Sequence, residues 1–284
     1  VLALIEAGEA GLDSIANLLH DPGDAAVHPV AGIKFLSPLP VPQQIRDFAN
    51  YEQHCLAAMD ASMRLRSAKE KDPEAAYQKM KSSGAYKVPD VWFDIPLYYK
   101  GNRFAINGHE GIVEWPPFAE NLDYELELAC VIGKQGKDIA AADAREHIFG
   151  YTIFNDFSAR DIQARWEGQF RMGPAKGKDF DTSNSFGPWI VTKDEIPHPY
   201  DLQMSVRVNG EERGRGNSGG AQHNFEACIA QVSRSETLHP GEILGLGTIA
   251  TGCGFESLTW LEPDDVIELE IEGIGVLRNT IKKI

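Results

Sequence analysis

From about Val91 to the C-terminus, short strand-like runs recur, each broken by Gly, Pro, Asn or Asp. The runs are Asp123–Ile132, Tyr151–Phe154, Trp189–Val191, Leu202–Val208, Glu242–Ile249 and Val266–Ile271. Asn209-Gly210 is a strong signal for a tight hairpin, because both residues tolerate positive φ. A doubly wound parallel sheet needs a helical crossover between successive strands, and this texture argues against it. Helical patterns are sparser here: Ala141–His147, Ala159–Trp166 and Asn224–Ser233. The expected architecture is a β-rich α+β domain over residues 95–284.

Residues 1–94 read as a smaller, more helical segment. A helix over Ser14–Leu19 ends at the Asp21-Pro22-Gly23 turn. Pro38, Pro40 and Pro42 make residues 31–46 an extended connector. Asp47 to about Lys81 reads helical, with Phe48, Tyr51, Cys55, Leu56 and Met59 at helix-like spacing. Asp72-Pro73 interrupts it, and Pro73 suits the first turn of a new helix. Arg64–Lys87 is basic within an acidic protein, either as a solvated helix face or as a lid over an anionic substrate.

A chain of 284 residues is long enough to bury a sizeable core in one large domain, or in one large and one small. Its net charge of −15 excludes a general nucleic-acid or anionic-membrane surface, yet leaves room for a local basic pocket. No apolar run approaches membrane-spanning length. Cys55, Cys130, Cys228 and Cys253 form no Cys-x-x-Cys pair and are expected as reduced thiols of a cytoplasmic protein.

Glu125 and Glu127 stand two apart in a strand pattern and so share a face, with Tyr124, Leu126 and Leu128 on the other. Asp156 closes another strand pattern. Carboxylates gathered this way repel unless a cation lies between them, and oxygen-only ligands select Mg²⁺, Mn²⁺ or Ca²⁺ over zinc. Spacing alone is weak, since Glu268, Glu270 and Glu272 alternate identically and a solvent-facing strand edge gives the same pattern. The first set differs in its neighbours, because Arg160, Gln163 and Lys178 follow it closely. Taken singly, Arg160 with Asp161 reads as a helix-start ion pair and Lys178 as a solvated loop lysine. Taken with the acids, they suit an anionic, oxygen-rich small molecule.

The blocks Asp123-Tyr124-Glu125-Leu126-Glu127-Leu128-Ala129, Gly150–Gln163 (with Asn155-Asp156-Phe157-Ser158-Ala159-Arg160-Asp161-Ile162-Gln163), Lys176-Gly177-Lys178-Asp179-Phe180 and Gly187-Pro188-Trp189 come in that order. Pro240-Gly241-Glu242-Ile243, Gly247-Thr248-Ile249 and Gly273–Asn279 follow. This ordered set resembles the fumarylacetoacetate hydrolase family over roughly residues 95–284, with a looser match at Arg46-Asp47-Phe48 and His54. The resemblance implies a mixed β-sandwich or roll of the fumarylacetoacetase C-terminal-like type, and a homodimer. It implies Glu125, Glu127 and Asp156 as ligands of a divalent metal, Mg²⁺ first, with Mn²⁺ or Ca²⁺ as alternatives. Asp47, seven residues before His54, matches an acid that also contacts the metal in the fumarylacetoacetases. Lys178 corresponds to a substrate-contacting lysine, and Arg160, Gln163 and Thr248 to further substrate contacts.

The implied reaction is hydrolysis of a carbon–carbon bond between two carbonyls, in a 1,3-diketone or acylpyruvate-like acid. A metal stabilises the enolate oxygens, Lys178 adds fixed positive charge, and a base must deprotonate water. His54 is the candidate base, although a histidine on an amphipathic helix is more often a packing or surface residue. Small family members carry its orienting glutamate three residues later, where this chain has Ala57; Glu262 or Glu256 are the substitutes. Without such a pair, the family's 2-oxo acid decarboxylase, hydratase or tautomerase chemistry is the alternative.

Two patterns point elsewhere. Gly216-Asn217-Ser218-Gly219-Gly220 has the form of a serine-hydrolase elbow, with Ser218 as nucleophile. Gly214-x-Gly216-x-x-Gly219 has the form of a dinucleotide fingerprint, but the next strand ends without an acid for a ribose. Both are read as features of a flexible Glu211–Gly220 loop near the site. A non-catalytic binding protein on the same scaffold is a third class, disfavoured because every metal-matching acid is present.

Overall fold

Period-two alternation of apolar residues builds two main sheets that bury their facing sides, beside two short two-stranded ribbons. The computed structural model describes residues 1–283 except 24–26, 31, 85 and 165–172. The larger sheet has seven strands in the order Tyr98–Lys100, Ile45–Phe48, Ile243–Cys253, Glu125–Ile132, Ile148–Asp156, Asn184–Thr192 and Ile106–Asn107. The smaller has five, in the order Glu211–Asn217, Gln203–Val208, Val266–Ile271, Gly275–Lys282 and Gly111–Glu114. Pairing is mostly antiparallel, with parallel exceptions at Ile45–Phe48 against Ile243–Cys253, at Ile106–Asn107 and at Gly111–Glu114. The fold is thus the expected strand-rich α+β type, with helices in the minority.

The Glu125–Ile132 strand is buried along its whole length. Tyr124, Leu126, Leu128, Cys130 and Ile132 join Val206, Leu269 and Leu277 in the core between the sheets. Each fully buried side chain of this size contributes about 1.5–3 kcal/mol of transfer free energy. The opposite face carries Glu125 and Glu127, then Ala129 and Val131. These last two enter a second apolar cluster with Ile5, Leu39, Phe154 and Phe186. The same period that fills the core therefore delivers two carboxylates to one end of the other face.

Several local expectations hold. Asn209 and Gly210 both have positive φ and close the Gln203–Val208 and Glu211–Asn217 hairpin. Asp72 caps the Pro73–Ser82 helix through Ala75 N, with Pro73 in its first turn. Asn224 caps Phe225–Val232 in the same way.

Others do not. Asp47 and Phe48 were expected in a helix, but Ile45–Phe48 is a strand, and the helix begins at Glu52. The strand is buried on both faces between two neighbours, so its sequence lacks the alternation that would mark it. The expected Glu211–Gly220 loop is the Glu211–Asn217 strand followed by a single turn, Ser218–Gly220. Its glycines serve close packing: a Cβ on Gly214 would meet the Thr251 carbonyl at 1.9 Å. Gly275–Lys282 is a further strand, whose inward row of Leu277, Asn279 and Ile281 is interrupted by a buried amide that hides the apolar alternation. Ala141–His147 contributes only a short turn of 3₁₀ helix, Ala144–His147. The expected helix at Ala159–Trp166 opens as Arg160–Ile162, and its end at 165–166 lies outside the described residues.

The basic stretch laces a helical hairpin together. Arg64 Nε donates to Asp60 at 2.9 Å, Lys81 Nζ donates to Tyr77 at 3.0 Å, and Tyr77 in turn donates to Asp60 at 2.5 Å. Among the described residues no helix is long and apolar enough to cross a membrane.

Candidate functional site

Four carboxylates converge at one end of the larger sheet. One oxygen each from Asp47, Glu125, Glu127 and Asp156 lies within 4.8 Å of the others, and all four residues are buried. Asp47 arrives on the parallel strand, opposite Gly245, and Glu127 sits opposite Thr248. A Cβ on Gly245 would meet Asp47 Oδ1 at 2.6 Å and Glu127 Oε2 at 2.7 Å, so glycine is what lets the two acids approach each other. Asp156 comes from the end of Ile148–Asp156, beside Glu125–Ile132. Asn155, one residue earlier, accepts from Glu125 N at 3.0 Å and fixes that register.

Cations and donors surround the cluster. Lys178 Nζ donates to Glu125 Oε2 at 2.5 Å and also bonds Asp156. Arg160 Nη2 donates to Glu125 Oε1 at 2.5 Å, its Nε to Asp123 at 2.9 Å and its Nη1 to Gln163 at 3.1 Å. Thr248 Oγ1 and Gly247 N both donate to Glu127, at 3.0 and 3.2 Å. Tyr99 OH donates to Asp156 Oδ2 at 2.6 Å.

The charges do not balance, and the acidities follow. Burial pushes Asp47, Glu127 and Asp156 above the usual carboxylate range, and repulsion from neighbouring acids adds to it. Burial also opposes ionisation of Glu125, but Arg160 and Lys178 outweigh it and hold that carboxyl far below the usual range. For Lys178, burial disfavours the ammonium, while Asp156 and Glu125 more than compensate and keep it charged. Asp47 Oδ1 and Asp156 Oδ1 are buried and find no hydrogen-bond partner. Orphaned carboxylate oxygens and a cradle that a Cβ would fill fit a hard dication. The control set fares differently: Glu268 and Glu270 pair with Arg207 at 3.3 and 2.8 Å on the outer side of the smaller sheet.

His54 sits in the first turn of the Glu52–Ser67 helix, whose start is pinned by Tyr51 OH donating to Ser218 O at 3.0 Å. Its Nδ1 lies 2.6 Å from Glu256 Oε1, and Glu256 Oε2 accepts from Thr251 N at 2.8 Å. Of Glu256 and Glu262, Glu256 is thus the one that touches the histidine. Cys253 Sγ is 3.9 Å from both His54 Nδ1 and Glu256 Oε1.

Asp123 and Tyr99 were given no role from sequence. Asp123 accepts from Gly254 N at 2.8 Å, from Phe255 N at 3.0 Å and from Arg160, tying the Glu256 turn to the guanidinium. Its place two residues before Glu125, in step with the Glu-x-Glu alternation, is the available signal. Tyr99 lies in Tyr98-Tyr99-Lys100, which carries no motif. Ser218 is fully buried, with Oγ donating to Pro199 O at 2.7 Å and accepting from Leu202 N at 2.9 Å. That hydroxyl pins backbone, and the turn after it is not the helix that an elbow requires.

A cavity of about 390 Å³ adjoins the acid cluster, lined by Tyr99, Lys100, Asn102, Ala175, Lys178 and Asp179. A larger cleft, about 1050 Å³, lies elsewhere, beneath the N-terminal helices beside Phe149, Lys193 and His239. Lys178 and Tyr99, which both bond Asp156, line the smaller cavity, so it is the one that reaches the acid cluster.

The sequence profile of the fumarylacetoacetate (FAA) hydrolase C-terminal family matches residues 43–282. Oxaloacetate tautomerase YisK of Bacillus subtilis (strain 168) is 39% identical over 188 residues, covering 66% of this chain and 61% of the relative. The mitochondrial oxaloacetate tautomerase FAHD2A of Homo sapiens is 38% identical over 187 residues, covering 66% of this chain and 59% of its own length. The matches therefore span about three fifths of each relative. The solved fumarylacetoacetate hydrolase of psychrophilic Exiguobacterium antarcticum superposes with a TM-score of 0.71 at 30% identity, covering 92% of this chain and 82% of that one. With the profile spanning most of its length, the chain belongs to the fumarylacetoacetate hydrolase family.

Proposed function

We propose that this protein is a metal-dependent hydrolase that cleaves the carbon–carbon bond between two carbonyls in a 1,3-diketone or acylpyruvate-like acid. The observation that carries the reading is the 2.6 Å contact of His54 with Glu256 beside the acid cluster. A base held by a carboxylate is what water activation requires.

Asp47, Glu125, Glu127 and Asp156 would hold the ion, which when bound supplies a Lewis acid for negative charge on the substrate oxygens. His54 takes the proton of water at Nε2, while Glu256 holds the opposite Nδ1–H and steadies the imidazolium that forms. Lys178 and Arg160 bring fixed positive charge to an anionic substrate, and their buried setting strengthens it. Gln163 and Thr248 complete the proposed substrate contacts, and Thr248 also steadies Glu127. The reading includes Mg²⁺ as the ion, with Mn²⁺ or Ca²⁺ as alternatives, a homodimer and a cytoplasmic location. Metal analysis, light scattering and fractionation test these in turn.

The second reading is keto–enol tautomerisation of a 2-oxo acid, favoured by the two oxaloacetate tautomerases at 38% and 39% identity. There His54 would move a proton between carbon and oxygen without an attacking water. Mass spectrometry in ¹⁸O-labelled water separates the readings, across acylpyruvates, fumarylpyruvate, fumarylacetoacetate and oxaloacetate, with and without Mg²⁺. Hydrolysis yields two fragments, one carrying label in a new carboxylate. Tautomerisation leaves the mass unchanged and accelerates loss of enol absorbance, and decarboxylation releases CO₂. An enzyme that equilibrates the enol yet cleaves nothing on the panel refutes the hydrolase reading.

A further inference from the structure

We propose that His54, Cys253 and Glu125 form a second metal site, selective for zinc-like ions, whose occupation switches off the base. One donor atom from each lies within 4.8 Å of the others, and Glu256 adds a carboxylate 3.9 Å from the sulfur. The donors differ in kind from the neighbouring cluster. Four carboxylates suit a hard cation, whereas imidazole, thiolate and carboxylate together suit zinc in a four-coordinate shell.

The distances support this. Zinc bonds of about 2.3 Å to sulfur and 2.0 Å to nitrogen put those two ligand atoms about 3.5 Å apart in a tetrahedron. Cys253 Sγ and His54 Nδ1 are 3.9 Å apart, a few tenths of an ångström wider. The donors come from separate elements: the first turn of Glu52–Ser67, the end of Ile243–Cys253 and the start of Glu125–Ile132. Cys253 is paired in no disulfide and is buried, which keeps its thiol from casual oxidation and leaves it free to ligate.

Inhibition follows from the tautomer. Ligation through Nδ1 requires that nitrogen to give up its proton, so the neutral ring carries its proton on Nε2. A ring protonated at Nε2 cannot accept the proton of water there. Glu256 loses its hydrogen bond to Nδ1 at the same time, and the Cys253 thiol proton leaves to solvent. Because Glu125 serves both clusters, zinc here also competes with the hard ion for one carboxylate. Inhibition through the tautomer rests on His54 as the base; the binding itself does not.

The binding test uses purified protein in excess Mg²⁺ with Co²⁺ as the optical probe. A thiolate-to-cobalt charge-transfer band is expected, retained in Glu127→Gln and lost in Cys253→Ala and Cys253→Ser. Absence of the band, or its survival in both cysteine variants, overturns the site. Circular dichroism on the same samples identifies a variant that has unfolded, and the near-isosteric serine variant then decides. In the second arm, Zn²⁺ inhibits wild type at fixed excess Mg²⁺. Loss of the sulfur ligand should weaken that inhibition by at least the roughly tenfold that loss of an outer partner costs. Equal zinc sensitivity in wild type and Cys253→Ser refutes the switch. A cobalt band without zinc inhibition refutes His54 as the base rather than the metal site.

Discussion

Glu256→Gln isolates the orienting bond from everything else in the site. Thr251 N already donates to Glu256 Oε2 at 2.8 Å, and Oε1 faces His54 Nδ1 at 2.6 Å. A carboxylate accepts on both sides, but an amide has one oxygen and one NH₂. If the oxygen stays with Thr251, the NH₂ faces His54 and stabilises the tautomer with its proton on Nε2, which is no base. If the amide turns over, its NH₂ opposes the Thr251 N–H, donor to donor. A hydrogen bond to a charged group is worth about 1.5–3 kcal/mol, so kcat should fall about 10–150-fold. A fully reversed tautomer extends the loss towards the ~10⁴-fold known for a comparable change in a serine protease. Glu256 touches none of the four clustered acids in a hydrogen bond, so KM and Mg²⁺ affinity should stay near wild type. The assay is steady-state product formation across substrate and Mg²⁺ concentrations. A kcat within twofold of wild type, or a loss confined to KM, refutes the dyad.

Three other outcomes test the remaining structure. Glu127→Gln should weaken Mg²⁺ binding by more than tenfold in calorimetry while Glu270→Gln leaves it unchanged; equal effects would remove the distinction between the two Glu-x-Glu sets. Asp47, Glu127 and Asp156 are pushed upward in the folded protein, so the metal-free fold is favoured below the ordinary carboxylate range near pH 4 and loses that contribution as pH rises through the shifted values. Divalent metal relieves the repulsion, so the rise in Tm on adding Mg²⁺ should grow with pH and binding should release protons; an increment that shrinks with pH contradicts the cluster. Ser218→Ala removes a hydroxyl bonded to Pro199 O and Leu202 N, so about 1–3 kcal/mol of stability should be lost in denaturant melts with kcat little changed, whereas abolished activity in folded protein would restore the serine-hydrolase reading.

What could be read from sequence was whatever depended on neighbours along the chain. Glu125 and Glu127 share a face because strand period dictates it, and the Asn209-Gly210 turn follows from backbone sterics. The ordered blocks placed Asp156, Arg160 and Lys178 beside them, and the structure brings these groups together. What stayed hidden depended on long-range pairing. Ile45–Phe48 reads as the entry to a helix until two distant strands enclose it. Glu256 and Glu262 are equivalent in sequence, and only the turn bonded by Asp123 selects the first. Arg207 neutralises Glu268 and Glu270, a pairing that neither strand announces alone.

The parallel pairing of Ile45 with Ile243 has a consequence for how the protein is made. Asp47 leaves the ribosome well before its parallel partner strand, which comes about 200 residues later, at ~5–20 residues per second. For roughly 10–40 s the nascent chain carries Asp47 without its parallel partner strand and without a complete binding site. Metal cannot assist folding through all four acids until the Ile243–Cys253 strand has been made. Loop closure over that span is the costly event, so this contact pair should set the refolding rate. A fragment starting near residue 95 would carry three of the four acids and no base, however well its remaining strands assembled.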